Sequence, residues 1–267
     1  MRNVRHDQAT GLRRLFARDS LQVLSVAGAS TSDATSITLN LAAALSRLGH
    51  RLLVVDLAHG EAALSLGARA RYDLAHVLRG DKTLQDVLVR TPHGVTVLAA
   101  ARGLESITRG GSCWRRTLED LFDDAGESFD VWLVNGVAPP VADNGSPLLV
   151  IAPTRDAITG AYARIKTLAQ DHGQREFRIV VDRAASESVA LNAYRSIAST
   201  SHQFLSARLD YCGYLPHDDA ATVIARRPSA SLADSDSARG HAFARLAEAV
   251  AAGRSADPSR VAFQPRK

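Results

Sequence analysis

Six short apolar runs constrain this chain more than any other feature: LQVLSVAG (21–28), RLLVVD (51–56), VTVLAAA (95–101), FDVWLVN (129–135), PLLVIAP (147–153) and FRIVVDR (177–183). Strands this continuously apolar cannot keep one face in water, so they belong in a sheet covered on both sides. The segments between them supply the cover. TSITLNLAAALSRLG (35–49) repeats Ile37, Leu41, Ala44, Leu45 and Leu48 at helical spacing and ends on Gly49. Helical patterns recur at 114–124, 157–171, about 187–203, about 218–226 and 236–252, short helical pieces fill 72–89, and ARLDYCGYLP (207–216) reads as the last strand. The expected fold class is α/β, a mostly parallel sheet flanked by helices.

Composition adds exclusions. With 46% hydrophobic and 22% charged residues, the chain is neither disordered nor fibrous. No apolar run approaches the ~20 residues of a membrane span, and MRNVRHDQATGLRRLF lacks the apolar core of a secretory signal. Cys113 and Cys212 stand apart, without a CxxC or a Cys/His cluster, so free thiols and a cytoplasmic location are expected. The histidines form no HxxxH or HExxH; His59, His76, His93 and His217 read as surface or loop residues, and no metal site is expected. The net charge of +4 sits at the ends: residues 1–18 carry +4, residues 253–267 carry +3 and the body is mildly acidic. That distribution argues against a nucleic-acid surface on the domain.

The ends also mark the organisation. Residues 7–18 (DQATGLRRLFAR) read as a short helix capped by Asp7, with Ala9, Leu12, Leu15 and Phe16 on one side. The last residues have two prolines and no periodicity. The expected division is an N-terminal helix at 1–20, an α/β domain at 21–253 and a flexible basic tail at 254–267.

A first strand, a tight loop and a helix form the usual phosphate-binding address of α/β proteins. The loop here is GASTSDATS (28–36). This strand–loop–helix, with SITLNLAAAL, VVD, RYDLAHVLRGDKTLQDVLVRTPHGVTVLAAARG (71–103), APTRDAITGAYARIK (152–166) and DYCGYLPHDD (210–219), resembles the MinD/ParA class of deviant Walker-A ATPases over nearly the whole chain. DQATGLRRL and the ITGAYARIK helix resemble its flagellar FlhG branch, the regulators of flagellar number. The resemblance implies a SIMIBI-type, P-loop-like fold, with ATP and Mg²⁺ as the family's ligands.

The family's loop reads GKGGxGKT or a close variant. By that register Gly28 keeps the first glycine and Thr35 the Mg²⁺-binding hydroxyl. The signature lysine falls on Ala29, the middle glycines on Ser30 and Thr31, the last glycine on Asp33 and the phosphate-binding lysine on Ala34. The chemistry requires glycines, so that backbone N–H groups can curl round the phosphate, and a lysine to offset its charge. After the second strand, Asp56 is kept, but Ala58 stands at the catalytic aspartate. The strand that should end in a Walker-B aspartate ends in Asn135, and the family's adenine-reading asparagine aligns with Asp182. The reading from these residues is a degenerate nucleotide site with no catalytic residue and no cofactor. In its place Ser32 or Asp33 is expected to cap a helix starting near Ala34, with Asp33 facing the positive end of the helix dipole. The chain is also about two turns shorter between Asn135 and Ile158 than the family, at 3.6 residues per turn, which puts the family's nucleotide sandwich dimer in doubt.

The resemblance assigns the N-terminal element a partner. In the FlhG branch, DQAxxLR docks on the signal-recognition-type GTPase FlhF and activates GTP hydrolysis; Asp7, Gln8, Ala9, Leu12 and Arg13 match it, with Leu15 and Phe16 as further apolar anchors. Flagellar switch or transcription-regulator proteins are further possible partners, and membrane binding is expected to be weak or absent. Two rival readings stand beside this one. One is a working ATPase that cycles at a membrane; the other is a ParA-type partner of a different polar machine.

Overall fold

A computed structural model of the chain describes residues 21–28, 31–136, 145–217 and 235–252. Eight strands form one sheet: β1 (Gln22–Ala27), β2 (Leu52–Asp56), β3 (Leu88–Arg90), β4 (Thr96–Ala99), β5 (Val131–Asn135), β6 (Leu148–Ile151), β7 (Glu176–Ala184) and β8 (Arg208–Pro216). Their order is β3-β4-β2-β5-β1-β6-β7-β8, and every pairing is parallel except β3 with β4. The described helices are α1 (Thr31–Arg47), α2 (Glu61–Ser65), α3 (Leu74–Leu78), α4 (Leu84–Val87), α5 (Ala101–Arg109), α6 (Trp114–Asp124), α7 (Arg155–Asp171), α8 (Glu187–Leu205) and α9 (Ala238–Ala251).

Alternation along each strand divides the core. Leu24, Val26, Leu52, Val54, Leu133 and Val150 face Ile37, Leu41 and Leu45 of α1 and Phe243 and Leu246 of α9. The intervening residues face the other side. Leu53, Val55, Trp132 and Val134 pack with Leu104 of α5 and Leu118 and Phe122 of α6. Leu149, Ile151, Ile179 and Val181 pack with Ile165 of α7 and Ile197 of α8. Both faces are buried, as the continuous apolar runs require.

Three expectations need correction. The first helix begins at Thr31, not near Ala34, so Asp33 lies inside its first turn and is not the cap. The first amides of a helix have no intrahelical acceptor, so Thr, Ser and Asp cost little there, and an aspartate favours the positive end of the dipole. Secondly, 72–89 is not wholly helical. After Thr83 caps α4, the chain turns extended at Leu88 and forms β3, the antiparallel edge strand. The hairpin closes through Thr91, whose N–H and hydroxyl both donate to the Val95 carbonyl, and Gly94 takes a left-handed φ of 73°. Thirdly, the run read as a strand to residue 101 ends at Ala99, and residues 101–109 form α5, which packs on α3 so closely that a Cβ at Gly103 would lie 2.5 Å from the Leu74 Cβ. The proposed helices at 7–18 and about 218–226 and the basic tail at 254–267 lie outside the described residues.

Candidate functional site

The strand order puts β1 between β5 and β6; the chain runs from β1 to β2 on one side and from β5 to β6 on the other, and this reversal opens a crevice at the carboxyl ends of the strands. Val26, Asn135 and Asp56 are register partners in that order across β1, β5 and β2. A cavity of about 800 Å³ opens beside them, lined by Ala27, Gly28, Ala34, Leu57, Ala58, Asn135 and Gly136 on one side. On the other side α7 contributes Gly160, Ala163, Arg164, Thr167, Leu168 and His172. The structure thus brings Gly28, Ala34, Ala58 and Asn135 together around one cavity.

Asn135 is the hub of this crevice and only 1% exposed. Its Nδ2 donates to Thr35 Oγ1 and to Asp56 Oδ1, both at 2.9 Å, and its Oδ1 accepts from Thr38 Oγ1 at 3.4 Å. Thr38 Oγ1 is also 2.8 Å from the Ala34 carbonyl. Asp56 is fully buried and saturated. Besides Asn135, it accepts from the backbone N–H of Ala58 at 2.9 Å, Gly60 at 2.9 Å and Ala62 at 3.2 Å, so it caps the start of α2. Burial and the Asp56 charge push the Glu61 carboxyl above its ordinary value.

These contacts engage the polar groups of the crevice. An amide N–H pair placed between a hydroxyl oxygen and a carboxylate suits hydrogen bonds, whereas a divalent cation needs lone pairs from each of those groups. Ala34 and Ala58 contribute apolar surface to the crevice. Thr38 was absent from the sequence-based set; its four-residue spacing from Ala34 was the available signal.

The remaining residues lie to the side. Asp33 Oδ1 is 3.4 Å from Arg183 Nη2, so its carboxylate meets a cation as well as the helix dipole. Asp182, near the end of β7, is 5% exposed and pairs with Arg239 of α9 at 2.8 Å. Neither arginine was legible as a site residue. Cys113 is exposed, and Cys212 is buried with its Sγ 3.9 Å from the Asp210 carbonyl. His76 is a half-buried helix residue whose Nδ1 accepts from the Asp73 N–H at 3.1 Å, which corrects its reading as a surface or loop residue. Ala29 and the element Asp7, Gln8, Ala9, Leu12, Arg13, Leu15 and Phe16 lie outside the described residues. Among the described residues, no helix is long and apolar enough to cross a membrane.

No family model matches the chain. Over 220 residues, 78% of each protein, it is 30% identical to the antiactivator FleN of Pseudomonas aeruginosa. Its fold is similar to that of the MinD cell division protein of Aquifex aeolicus, with a TM-score of 0.64 at 22% identity, covering 90% of this chain and 100% of that one. The septum site-determining protein MinD from Pyrococcus horikoshii, solved with Mg-ADP, gives a TM-score of 0.60 at 20% identity, covering 86% of this chain and 96% of that one. With a FleN relative 30% identical over 78% of both sequences and a fold similar to that of MinD, the chain belongs to the MinD/ParA family of deviant Walker-A ATPases.

Proposed function

We propose that this protein is a FlhG/FleN-like regulator of flagellar assembly that works without an ATP cycle and acts through its N-terminal element. The observation that carries the first half is the Asn135 hub. Thr35 and Asp56, the hydroxyl and carboxylate suited to Mg²⁺, are both engaged by one amide. The Asp56 oxygens also accept three backbone N–H groups, so the residues present fit Mg·ATP poorly. Ala34 and Ala58 supply no charge, and Asp33 places a carboxylate in the first turn of α1, where a phosphate would approach. Like charges ~4 Å apart repel by roughly 4 kcal/mol at an effective dielectric of 20.

The second half rests on the resemblance of DQATGLRRL to the FlhG-branch element. In this reading residues 1–20 are the partner-binding element, 21–253 the domain that carries it and 254–267 a basic tail. Gln8 acts at the reacting centre of a signal-recognition-type GTPase, and Leu12, Leu15 and Phe16 anchor the docking. The name antiactivator, carried over from FleN, adds an activator protein as a further partner. One observation favours the rival, a nucleotide-binding member of the family: the cavity of about 800 Å³ remains open beside Gly28.

GTP turnover by the flagellar GTPase with the full chain tests the reading, with and without Mg·ATP. Stimulation that is lost on deleting residues 1–20 and is indifferent to ATP is expected. Gln8→Ala should dock without stimulating, and Leu12→Asp should not dock, because it drives a charge into an apolar contact. Absence of stimulation by the intact chain refutes the activator role. A saturable rise in melting temperature with Mg·ATP refutes the nucleotide-independent role, because only a ligand that binds the native state adds stability.

A further inference from the structure

We propose that a chain of four alternating charges, Asp33, Arg183, Asp182 and Arg239, ties the first turn of α1 to β7 and α9 in place of a ligand. The proposal rests on the nucleotide-independent reading above and names the device that holds the loop helix under it.

The geometry starts from a backbone irregularity. β7 and β8 lose register between Asp182 and Ala184, and Arg183 in that bulge has a left-handed φ of 57°. Bulges re-aim side chains, and a long side chain with a Cβ is uncommon in this region, where glycine has no penalty. Here the re-aimed guanidinium reaches two carboxylates: Nη2 lies 3.4 Å from Asp33 Oδ1 and Nε 3.5 Å from Asp182 Oδ2. The other Asp182 oxygen is 2.8 Å from Arg239 Nη2. Arg239 is only 8% exposed, donates from Nη1 to the Pro216 carbonyl at 2.9 Å and lies 5.5 Å from the Phe243 ring centre. A carboxylate as buried as Asp182 needs paired cations, and the two arginines supply them. Three elements far apart in sequence, the start of α1, the end of β7 and α9, are thereby joined by side chains of net charge zero.

Hydrogen exchange on the full chain tests this. The amides of residues 35–38 bond to carbonyls of the first turn of α1, so they report its opening. Arg183→Gly removes the bridge and relieves the left-handed backbone, so a purely conformational role predicts unchanged or slower exchange in 35–38. The charge chain predicts exchange faster by about fivefold there, the scale of a modest ion-pair contribution. Asp33→Asn should give the same local acceleration by an independent route. Salt near ~0.5 M should accelerate the wild type and add little to either variant. Exchange in 35–38 that is unchanged in both variants, or a wild type indifferent to salt, overturns the charge chain. Slowing of wild-type exchange in 35–38 by Mg·ATP overturns the nucleotide-independent reading instead, whatever the variants do.

Discussion

Asn135→Asp restores the acidic residue usual in the family and is nearly isosteric, so it creates no cavity. Its effect is therefore electrostatic. Asn135 Nδ2 stands 2.9 Å from Asp56 Oδ1, and both residues are buried. The substitution turns that donor into an acceptor, loses two hydrogen bonds worth ~1 kcal/mol each, and sets two carboxylates against each other. At an effective dielectric of 20, unit charges ~4 Å apart repel by roughly 4 kcal/mol. The pair has one escape, which is to share a proton. Holding an aspartate protonated at pH 7, against an ordinary pKa near 3.9, costs about 4 kcal/mol by itself at ~1.4 kcal/mol per unit. Either route gives a destabilisation of about 4–6 kcal/mol at pH 7, which shrinks toward pH 4–5 as protonation becomes free. Urea unfolding at both pH values, in metal-free buffer, measures it. A neutral or stabilising effect at pH 7 would refute the reasoning, because the crevice would then have to compensate a second carboxylate. Full rescue by Mg²⁺ would show that the crevice still accepts a metal.

The other expectations follow from packing and charge. Gly103→Ala should destabilise by about 1–3 kcal/mol, because its Cβ would meet Leu74 at 2.5 Å, and Leu74→Ala in the same chain should recover part of that loss; chemical denaturation of the three variants checks the coupling. Glu61 is held above its ordinary pKa by burial and by Asp56, so its contribution to stability is fully present below the unfolded value near 4.5 and is lost as pH rises through the folded value. Glu61→Gln should therefore stabilise at pH 7 relative to wild type and show no gain near pH 4, in melting curves at both pH values. Asp33→Ala should cost roughly 0.3–1 kcal/mol, from the dipole and a half-exposed ion pair, less than the loss of a true N-cap. A loss near 2 kcal/mol in urea denaturation would restore the capping role.

The crevice has to satisfy a buried carboxylate. Asp56 does so with three backbone amides of the turn into α2 and with Asn135, which makes it a structural cap. A neutral amide at 135 supplies the fourth donor without adding charge, which suits the fully buried Asp56 beside it.

The amino-acid sequence alone determined the layered α/β architecture, because burial on both faces of a parallel sheet is written locally, as apolar runs such as RLLVVD and FDVWLVN. It also determined the family and the identity of the unusual residues at 33, 34, 58, 135 and 182, since these are read position by position. Local pattern failed where the structure of a segment depends on its neighbours. Leu88–Arg90 is a strand because β4 pairs with it, and α5 packs on α3 through Gly103, which periodicity does not encode. The partners within the site were decided by tertiary structure. Asn135 meets Thr35 and Asp56 because β5 lies between β1 and β2, although 100 and 79 residues separate them in the chain. Asp182 is neutralised from α9, 57 positions further along. Asp33, expected to cap a helix, was instead placed within its first turn and opposite Arg183, because the bulge in β7 aims that side chain across the fold. Residue types are local information, whereas the distances between them are set by strand order and register, and only the folded chain carries those.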